Sequence, residues 1–372
     1  MKTVLVHDWL VSQGGAERVL AELFEILPSP IYTLLYDEKA FLSHSFADRE
    51  IYTSILQSLP KVRNYYRFLL PFFPFAIQQL DVSKADLIIS SSHAVAKGVK
   101  KREGQVHICY CHTPMRYAWD LQEEYLSSWG KWPRIVAMKI LDHLRQWDKK
   151  NNVYVDAFIA NSHYVADRIK RNYQREAIVI YPPVDVQRFF ISQKKEGYYV
   201  THARLVPYKK IDLLIETFNQ LPDQRFLIIG TGPEEKKLQC LAKQNCEFLG
   251  HVSEAMLPAI LSKAKAYIFA ADEDFGIGVV EAQSAGLPVI ALRKGGVLET
   301  VIEGKTGLFF DEPTPSSCLA AIKEFEKNID RFHPVLIREN ALRFDVLRFK
   351  QEIKEYIQDV LDSLLKDKRS TQ

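Results

Sequence analysis

Residues 266–282 read AYIFAADEDFGIGVVEA. The first five of them form an apolar run that predicts a short buried strand, the glycines that follow predict a loop, and the last residues predict a helix. Four further apolar runs in this half of the chain also precede helical patterns, at residues 198–202, 226–230, 247–249 and 288–292. Strands that alternate with helices in this way form a doubly wound parallel sheet, which binds ligands at the carboxyl ends of its strands.

The N-terminal half also has an α/β pattern. A strand is predicted at residues 3–6, and Gly14 and Gly15 then precede a helical pattern, so a Rossmann-like unit is expected to begin here. Later apolar runs predict strands at residues 31–35, 87–90, 106–110 and 157–160. Because 372 residues exceed what one hydrophobic core usually supports, the chain is predicted to form two domains.

The domain boundary is predicted to lie in a linker. Pro182 and Pro183 follow an apolar strand and precede a polar segment, which places the linker at about residues 182–196. We therefore predict an N-terminal Rossmann-like domain at residues 1–185 and a C-terminal one at residues 186–348. Residues 349–372 are predicted to form a helix and a polar tail. In one arrangement considered for them, they pack against the N-terminal domain.

Composition limits the classes of partner. The formal net charge of +3 is too small to indicate a nucleic-acid-binding protein, so no nucleic acid is expected as a partner. No apolar run approaches the roughly 18 residues that span a bilayer, and the first residues do not complete a signal peptide. The five cysteines include one closely spaced pair, but no second pair completes a set of metal ligands. All five are therefore expected to be reduced. These features predict a cytoplasmic protein, with the inner face of the membrane as a further location.

The loop after residue 270 has the features of an anion site. Gly276 and Gly278 leave the start of the following helix uncrowded, so its free N–H groups and positive dipole end can meet a phosphate. Glu273 lies just before this helix start, and Glu281 lies within the helix. Two carboxylates beside a phosphate cradle suit a nucleotide sugar, which has hydroxyls on both sides of its phosphates. An ordinary helix start beside two solvated glutamates is the alternative.

Cationic and small residues follow the neighbouring strands. Arg204 and Lys209 come after the strand at residues 198–202, and both side chains suit a diphosphate whose charge must be neutralised as it leaves. Gly230 and Gly232 close the next strand, and Val252 follows the one after. Small residues there would let a base lie against the backbone, although glycines are also common in turns. A solvated basic loop is the alternative interpretation of Arg204 and Lys209.

In this order and spacing, the motifs of the C-terminal half resemble those of family 4 of the retaining GT-B glycosyltransferases. The motifs are Glu273-x7-Glu281 with its central Phe275-Gly276, Arg204-Leu205-x3-Lys209, Gly230-x-Gly232-Pro233 and Gly295-Gly296-x2-Glu299. The resemblance implies an α/β fold of the GT-B type, in which two Rossmann-like domains face a central cleft.

The resemblance also implies roles for particular residues. Arg204 and Lys209 would hold the donor diphosphate, Glu273 would contact sugar hydroxyls, and Glu281 would contact the ribose hydroxyls. Backbone amides near the helix start would assist, so the implied donor-binding residues include Phe275, Gly276, Ile277 and Gly278.

The N-terminal half carries further parts of the resemblance. Gly15 belongs to a loop that matches the family's glycine loop near the donor phosphates or the acceptor; the loop is not G-x-G-x-x-G, so nothing in it indicates NAD. His112 begins a His-Thr-Pro-x-Arg stretch, and the resemblance implies that its ring faces the donor sugar near the reacting carbon. Asp8 and Arg116 are candidates for acceptor contacts, and for Asp8 a polar strand end is an equal alternative.

Residues 61–75 combine many aromatic rings with Lys61, Arg63 and Arg67. Rings and cations together suit a bilayer interface with anionic lipid head groups. A buried loop packed on the N-terminal core is the alternative, and the prolines of the stretch argue against a regular amphipathic helix. The stretch is therefore a candidate for peripheral membrane contact near a lipid-linked acceptor.

These features together predict a hexosyltransferase. A nucleoside diphosphate sugar would donate a hexosyl group to an acceptor hydroxyl with retention at the anomeric carbon. The resemblance is to members that act in polysaccharide or lipopolysaccharide assembly, which favours GDP-mannose as donor and a glycan or lipid-linked acceptor. No Asp-x-Asp segment at the end of a strand is interpreted as a set of ligands for a metal ion. Neither a metal nor a cofactor is therefore expected. A nucleotide-sugar epimerase and a non-catalytic nucleotide-binding module of the same fold are the alternatives.

Overall fold

The chain folds into two compact units. A computed structural model describes residues 1–42, 45–46, 49–120, 122, 126 and 130–370. Met1–Pro183 and Phe349–Gln372 form the N-terminal unit, and Val184–Arg348 form the C-terminal unit. Thr371 and Gln372, at the end of the predicted polar tail, lie outside the described residues.

The N-terminal unit is built on a parallel sheet with the strand order β3-β2-β1-β4-β5-β6-β7. Its strands are β1 Thr3–His7, β2 Ile31–Thr33, β3 Ile51–Thr53, β4 Leu87–Ser92, β5 Val106–Cys111, β6 Ala157–Ala160 and β7 Ala177–Val179. Val4 and Val6 pack into one apolar cluster and Leu5 packs into another, so both faces of the sheet are covered. The strand order reverses between β1 and β4, which makes this position the switch point of the sheet.

Helices follow most of these strands. In the described part of this unit before the linker they are α1 Gly15–Ile26, α2 Glu38–Phe41, α3 Phe73–Gln78, α4 Arg116–Trp119, α5 Lys131–Asn151 and α6 His163–Tyr173. Val19, Leu20, Leu23 and Phe24 of α1 are buried, as expected for a helix with a 3.6-residue apolar period. The strand, glycine loop and helix at the start of the chain therefore form the expected Rossmann-like unit.

The C-terminal unit has a second parallel sheet, with the order β10-β9-β8-β11-β12-β13. Its strands are β8 Tyr199–His202, β9 Phe226–Ile229, β10 Cys246–Gly250, β11 Ala266–Phe269, β12 Val289–Leu292 and β13 Gly307–Phe310. Ile268 packs on one face, and Tyr267 and Phe269 pack on the other. The predicted fold class, with two Rossmann-like α/β domains, is confirmed.

The remaining helices belong to the C-terminal unit, except that most of the last helix belongs to the N-terminal unit. They are α7 Ile211–Phe218, α8 Glu235–Leu241, α9 Leu257–Lys263, α10 Ile277–Ser284, α11 Val297–Thr300, α12 Pro315–Lys327, α13 Pro334–Ala341 and α14 Val346–Ser370. Phe349, Ile353 and Ile357 of α14 join the apolar cluster that contains Leu23 of α1. No helix within the described ranges is both long and apolar enough to cross a membrane.

Candidate active site

The candidate donor site lies at the switch point of the C-terminal sheet. β8 and β11 are neighbours, and the strand order runs outward from them in opposite directions. Loops that leave the carboxyl ends of two such strands diverge and leave a crevice between them. Arg204 and Lys209 follow β8, and Glu273 follows β11, so the sequence-predicted groups meet at this crevice.

Lys209 and Glu273 form an ion pair across this switch point. Lys209 ends the 3₁₀ turn Pro207–Lys209, and Glu273 lies in the loop between β11 and α10. Their side chains are 16% and 18% exposed, so solvent screens the attraction less than it does between surface charges. Arg204 is exposed in the same loop as Lys209. Two of the predicted catalytic residues are therefore in direct contact.

Two glycines hold the Glu273 loop in place. Gly295 forms a parallel β-bridge with Glu273, and the Gly296 amide donates to the Glu273 carbonyl oxygen at 2.8 Å. A Cβ at Gly295 would lie 2.4 Å from that oxygen, and a Cβ at Gly296 would lie 2.3 Å from the Asp274 carbonyl oxygen. A side chain at either position would displace the loop, which explains the Gly-Gly pair of the sequence motif.

Helix α10 begins beside the ion pair. Its N-cap residue is Gly276, which has a φ of +86° and no side chain that could cap the start of the helix. The first amides of α10, at Ile277 and Gly278, have no partner within the helix and can meet an anion. The Phe275 ring is buried and packs on Phe344 with 5.4 Å between ring centroids. Only the backbone of Phe275 can therefore reach a ligand.

Glu281 lies in α10 and is 2% exposed. Its Oε1 is 3.2 Å from Arg188 Nη2, and its Oε2 is 3.8 Å from His202 Nδ1 at the end of β8. Arg188 also pairs with Glu254 at 2.8 Å. The sequence analysis missed this contact of Arg188 with a candidate site residue, because a single arginine in the linker forms no motif. Glu281 thus has an ion pair within the protein besides the ribose contact predicted for it.

The glycines after β9 have a structural role besides the predicted one. A Cβ at Gly230 would lie 1.9 Å from the Ala203 carbonyl oxygen, and a Cβ at Gly232 would lie 2.2 Å from the Leu205 carbonyl oxygen. These glycines give room to the loop after β8, and contact of a base with their backbone stays a prediction. Val252 is half-buried and packs against the apolar cluster on one face of the sheet.

Asp272 and Asp274 form an Asp-x-Asp sequence in the loop after β11, which the sequence analysis did not treat as metal ligands. Asp272 Oδ2 lies 3.1 Å from Lys294 Nζ. Across the described ranges, no three His, Cys, Asp or Glu side chains are grouped as metal ligands. Asp272, like Glu273, therefore has a lysine as its partner.

The predicted N-terminal groups lie near the switch point of the other sheet. His112 directly follows β5, and its Nε2 is 2.8 Å from Ser91 Oγ on β4. The same hydroxyl oxygen is 3.2 Å from His7 Nδ1 on β1, and His7 Nε2 is 3.6 Å from Glu17 Oε1. Ser91 has one hydroxyl proton and can donate it to only one ring, so the other ring must donate its own N–H to Ser91. Ser91 therefore couples the tautomers of the two rings.

The His112 ring is buried, with 9% of the residue exposed. Burial lowers the pKa of His112 well below its ordinary value, and the neighbouring His93 and His7 lower it further. The ring is therefore neutral near pH 7, and one nitrogen donates while the other accepts. A neutral imidazole with a fixed tautomer can form a hydrogen bond with a sugar hydroxyl without adding a charge.

Asp8 is fully buried and is not positioned to contact an acceptor. Its two carboxylate oxygens accept from four consecutive backbone amides, those of residues 93–96, at distances from 2.6 to 2.9 Å. Burial alone would raise the pKa of Asp8, but His93, His7 and these amides outweigh it and lower the pKa. Because four donors occupy the carboxylate, the predicted acceptor contact is wrong, and Asp8 instead holds the loop after β4.

The two other predicted N-terminal residues each begin a helix. Gly15 is the first residue of α1, after the N-cap Gly14. Arg116 is the first residue of α4 and is half-buried. Both residues lie in segments that leave the carboxyl ends of strands, β1 and β5 respectively.

Comparison with known proteins assigns the family. A family model of glycosyl transferases group 1 matches residues 185–340, and a model of glycosyltransferase family 4 matches residues 13–188. The chain belongs to the family 4-like glycosyltransferases of the GT-B fold. The two matches together account for most of both units of this glycosyltransferase.

Curated relatives of this glycosyltransferase match over part of its length. An uncharacterised glycosyltransferase of Methanocaldococcus jannaschii is 30% identical over 181 residues, which cover 46% of this chain and 50% of that protein. A GDP-mannose-dependent monoacylated alpha-(1-6)-phosphatidylinositol monomannoside mannosyltransferase of Corynebacterium glutamicum is 33% identical over 204 residues, with 46% and 53% covered. The chain thus spans about half the length of these relatives.

Solved structures match the glycosyltransferase over nearly its whole length. HepE of Anabaena in complex with UDP has a TM-score of 0.71 at 18% identity and covers 96% of this chain and 100% of its own. Sucrose-phosphate synthase of Thermosynechococcus elongatus has a TM-score of 0.73 at 16% identity, with 98% and 100% covered. At these identities the similarity shows the fold.

Proposed function

We propose that this glycosyltransferase moves a hexosyl group from a nucleoside diphosphate sugar to an acceptor hydroxyl with retention at the anomeric carbon. The Lys209–Glu273 ion pair at the switch point carries the proposal, together with Arg204 and the start of α10. Cations and free amides suit a diphosphate, and a carboxylate suits sugar hydroxyls. The name of the GDP-mannose-dependent relative and the structure of HepE with UDP-glucose support this class of donor.

Departure of the diphosphate is the step that these groups assist. The bond between the anomeric carbon and the diphosphate oxygen breaks, which leaves negative charge on the diphosphate and an oxocarbenium-like sugar. Lys209 and Arg204 neutralise the growing charge, and the amides at the start of α10 add fixed dipoles. Lys209 shifts its contact from Glu273 to the diphosphate, and the Glu273 carboxylate then accepts hydrogen bonds from the sugar.

Retention is proposed to follow from attack on the same face. The acceptor oxygen bonds to the anomeric carbon on the face that the diphosphate leaves, and the acceptor proton passes to a departing phosphate oxygen. Glu273, once Lys209 has moved to the diphosphate, is proposed to accept hydrogen bonds from sugar hydroxyls and not to attack the anomeric carbon. Neutral His112 is proposed to donate or accept one hydrogen bond to the donor sugar.

The finer substrate assignment rests on resemblance. GDP-mannose is the proposed donor, because the Corynebacterium relative is named for it. A glycan or lipid-linked acceptor of cell-surface polysaccharide or glycolipid synthesis is proposed, with the enzyme at the cytoplasmic face of the membrane. Residues 61–75 are the proposed membrane contact, and no nucleic acid is proposed as a partner.

We propose that transfer needs neither a metal nor a cofactor. Lys209 and Arg204 supply positive charge at the position where a metal would neutralise the diphosphate, and Lys294 already accompanies Asp272. Transfer should continue in EDTA at the same rate. Loss of transfer in EDTA that Mn²⁺ restores would contradict this part of the proposal.

The donor class can be tested by a thermal-shift screen of UDP-, GDP- and ADP-sugars. A ligand at 100 times its dissociation constant stabilises a protein by about 2.7 kcal/mol. NMR of the reaction with an acceptor should then show a product with the anomeric configuration of the donor. Epimerised donor in a reaction without acceptor would favour the epimerase, and no stabilisation by any nucleotide sugar would reject the proposal.

A further inference from the structure

The aromatic stretch of the N-terminal unit is divided between the core and the surface. It forms the 3₁₀ helix Tyr66–Phe72, which continues directly into α3. Tyr66 and Phe73 are buried in the N-terminal core. Three further rings are largely exposed: Phe68 at 77%, Phe72 at 58% and Phe75 at 57%. The buried-loop interpretation therefore applies only to the inner rings.

Helix α5 packs beside this stretch and beside α3, which follows it. Leu70 joins the apolar cluster formed by Leu141 and Leu144 of α5. Gln78 Nε2 donates to Asn151 Oδ1 at 2.7 Å, which joins the end of α3 to the end of α5. The two elements also border a depression of about 270 Å³. The stretch and the helix thus form one continuous surface.

The exposed side of α5 continues the apolar character of the three outer rings. Trp132 is 76% exposed, Ile135 is 39% exposed and Val136 is 59% exposed. These residues recur at intervals of three and four with Lys139 and His143, so they lie on one face of the helix. Val136, Lys139 and His143 also line the depression beside the aromatic stretch. We call the exposed residues of 66–75 and this face of α5 the aromatic–basic surface.

Positive charge is concentrated in the two elements of this surface. Residues 61–78 and 131–151 contain nine Lys and Arg, two Asp and no Glu, a net charge of +7, whereas the whole chain carries +3. One of the two acidic residues, Asp148, is buried against Lys97 at 2.7 Å. Arg67 and Lys139 of this surface are exposed, and neither of them forms an ion pair within the described ranges. The surface is therefore available to an anionic partner.

We propose that the aromatic–basic surface docks on an anionic phospholipid bilayer. Exposed rings partition into the boundary between head groups and acyl chains, and lysines and arginines attract anionic head groups. A second copy of the chain would bring the same excess of positive charge against itself, and the repulsion argues against it as the occupant. The rings project from two elements without a deep groove between them, which suits a fluid surface better than a single protein ligand.

Docking would bring the loop of His112 close to the bilayer surface. Met115 and Ala118, which follow His112, belong to the same core cluster as Tyr66 and Phe73. The inner rings of the aromatic stretch therefore share one apolar cluster with the segment that follows His112. Docking extends the membrane contact proposed above for residues 61–75, and access to a lipid-linked acceptor through this arrangement rests on the proposed function.

Co-sedimentation of the full chain with vesicles tests the proposal. Vesicles are made of phosphatidylcholine alone or of phosphatidylcholine mixed with phosphatidylglycerol, each at low and high salt. We expect binding to the mixed vesicles that salt weakens, and little binding to the neutral ones. Lys139→Gln should weaken binding to mixed vesicles by about fivefold.

The combined substitution Phe68→Ser, Phe72→Ser and Phe75→Ser should weaken binding by at least about tenfold, because it removes the rings that partition. These rings are exposed, so the variant should keep the thermal unfolding temperature of the parent chain. Phe73→Ser is not a suitable variant for testing membrane contact, because Phe73 is buried and its substitution would disturb the core. The matched control replaces three apolar residues that are equally exposed elsewhere, Val335, Leu336 and Leu347, with Ser.

Three outcomes of these experiments would overturn the proposal. Unchanged binding by the triple Phe variant would exclude these rings as the contact, and equal binding to neutral and mixed vesicles would exclude anionic recognition. A dimer in sedimentation equilibrium that the triple Phe variant abolishes, without lipid binding by the parent chain, would identify the surface as a self-interface. Vesicle binding is measured without a sugar donor, so its result is independent of whether sugar transfer is found.

Discussion

Lys209 and Glu273 neutralise each other at the position where the C-terminal sheet reverses its strand order. The pair satisfies two largely buried charges within the protein. A diphosphate offers Lys209 more negative charge than one carboxylate does, so its binding would free Glu273 to accept hydrogen bonds from the sugar. The pair therefore links the binding of the diphosphate to the availability of the carboxylate.

Glu273→Gln should have opposite effects on binding and on turnover. The change removes the carboxylate that competes for Lys209, so a nucleoside diphosphate should bind about fivefold more tightly. It also removes the proposed sugar contact, so the transfer rate should fall by about a hundredfold. Calorimetry and initial-rate assays measure the two effects.

Glu326→Gln is the matched control for this change. It removes a carboxylate from another lysine pair of the same unit, in which Lys265 Nζ and Glu326 Oε1 are 2.5 Å apart. Neither diphosphate affinity nor transfer should change in this control. Weaker diphosphate binding by Glu273→Gln would show that Glu273 does not compete for Lys209.

Gly230→Ala should destabilise the C-terminal unit. The new Cβ would lie 1.9 Å from the Ala203 carbonyl oxygen, and Gly230 has a φ of +127°. Moving two backbone segments apart should lower the free energy of unfolding by about 2 to 4 kcal/mol. In Gly104→Ala the φ is +88° but nothing lies within 4 Å of the new Cβ, so the loss should be about 1 kcal/mol. Urea unfolding of both variants gives the comparison, and equal losses would argue against the close approach.

Ser91→Ala should lower turnover through the orientation of His112. Without the Ser91 hydroxyl, neither the tautomer nor the direction of the ring is fixed, so kcat should fall by about tenfold while the donor KM changes little. Ser90→Ala is the control, since Ser90 is equally buried on β4 and bonds His107 Nε2 at 2.8 Å. Both variants lose one buried hydrogen bond, so equal kcat values for the two would refute a specific role for Ser91.

The buried His107 should make stability depend on pH. Burial lowers its pKa to about 4, whereas an unfolded histidine has a pKa of about 6.5. Between these values the unfolded chain binds a proton that the folded chain does not, so stability is present above pH 6.5 and falls as the pH falls. This residue should cost about 3 kcal/mol by pH 4. Urea unfolding from pH 7.5 to pH 4 measures the slope, and stability that rises toward acid would contradict the assignment.

The central strands of both sheets can be predicted from the sequence because they are buried on both faces. Leu87 to Ile89 of β4 and Tyr267 to Phe269 of β11 give continuous apolar runs. The sequence analysis missed β3 and β13, each of which lies at an edge of its sheet. These two strands have only three and four residues, and part of each is exposed, so a short sequence of this kind does not distinguish a strand from a loop.

The candidate site is predictable only where charge stands at the end of a strand. Lys209 and Glu273 follow β8 and β11, so the order of elements is enough to bring them together. Arg188 reaches Glu281 from the linker, a distant contact that no local pattern indicates. Asp8 has the sequence of an exposed strand end, and its burial depends on the amides of a loop that follows a different strand.

The most direct test is a calorimetric titration of the nucleoside diphosphate identified in the donor screen. The account predicts that Lys209→Ala binds it about tenfold or more weakly, while the nucleoside alone binds as it does to the parent chain. Lys265→Ala, which also breaks a Lys–Glu pair, should bind both ligands normally. Equal affinity of Lys209→Ala and the parent chain for the diphosphate would contradict a diphosphate site at this switch point.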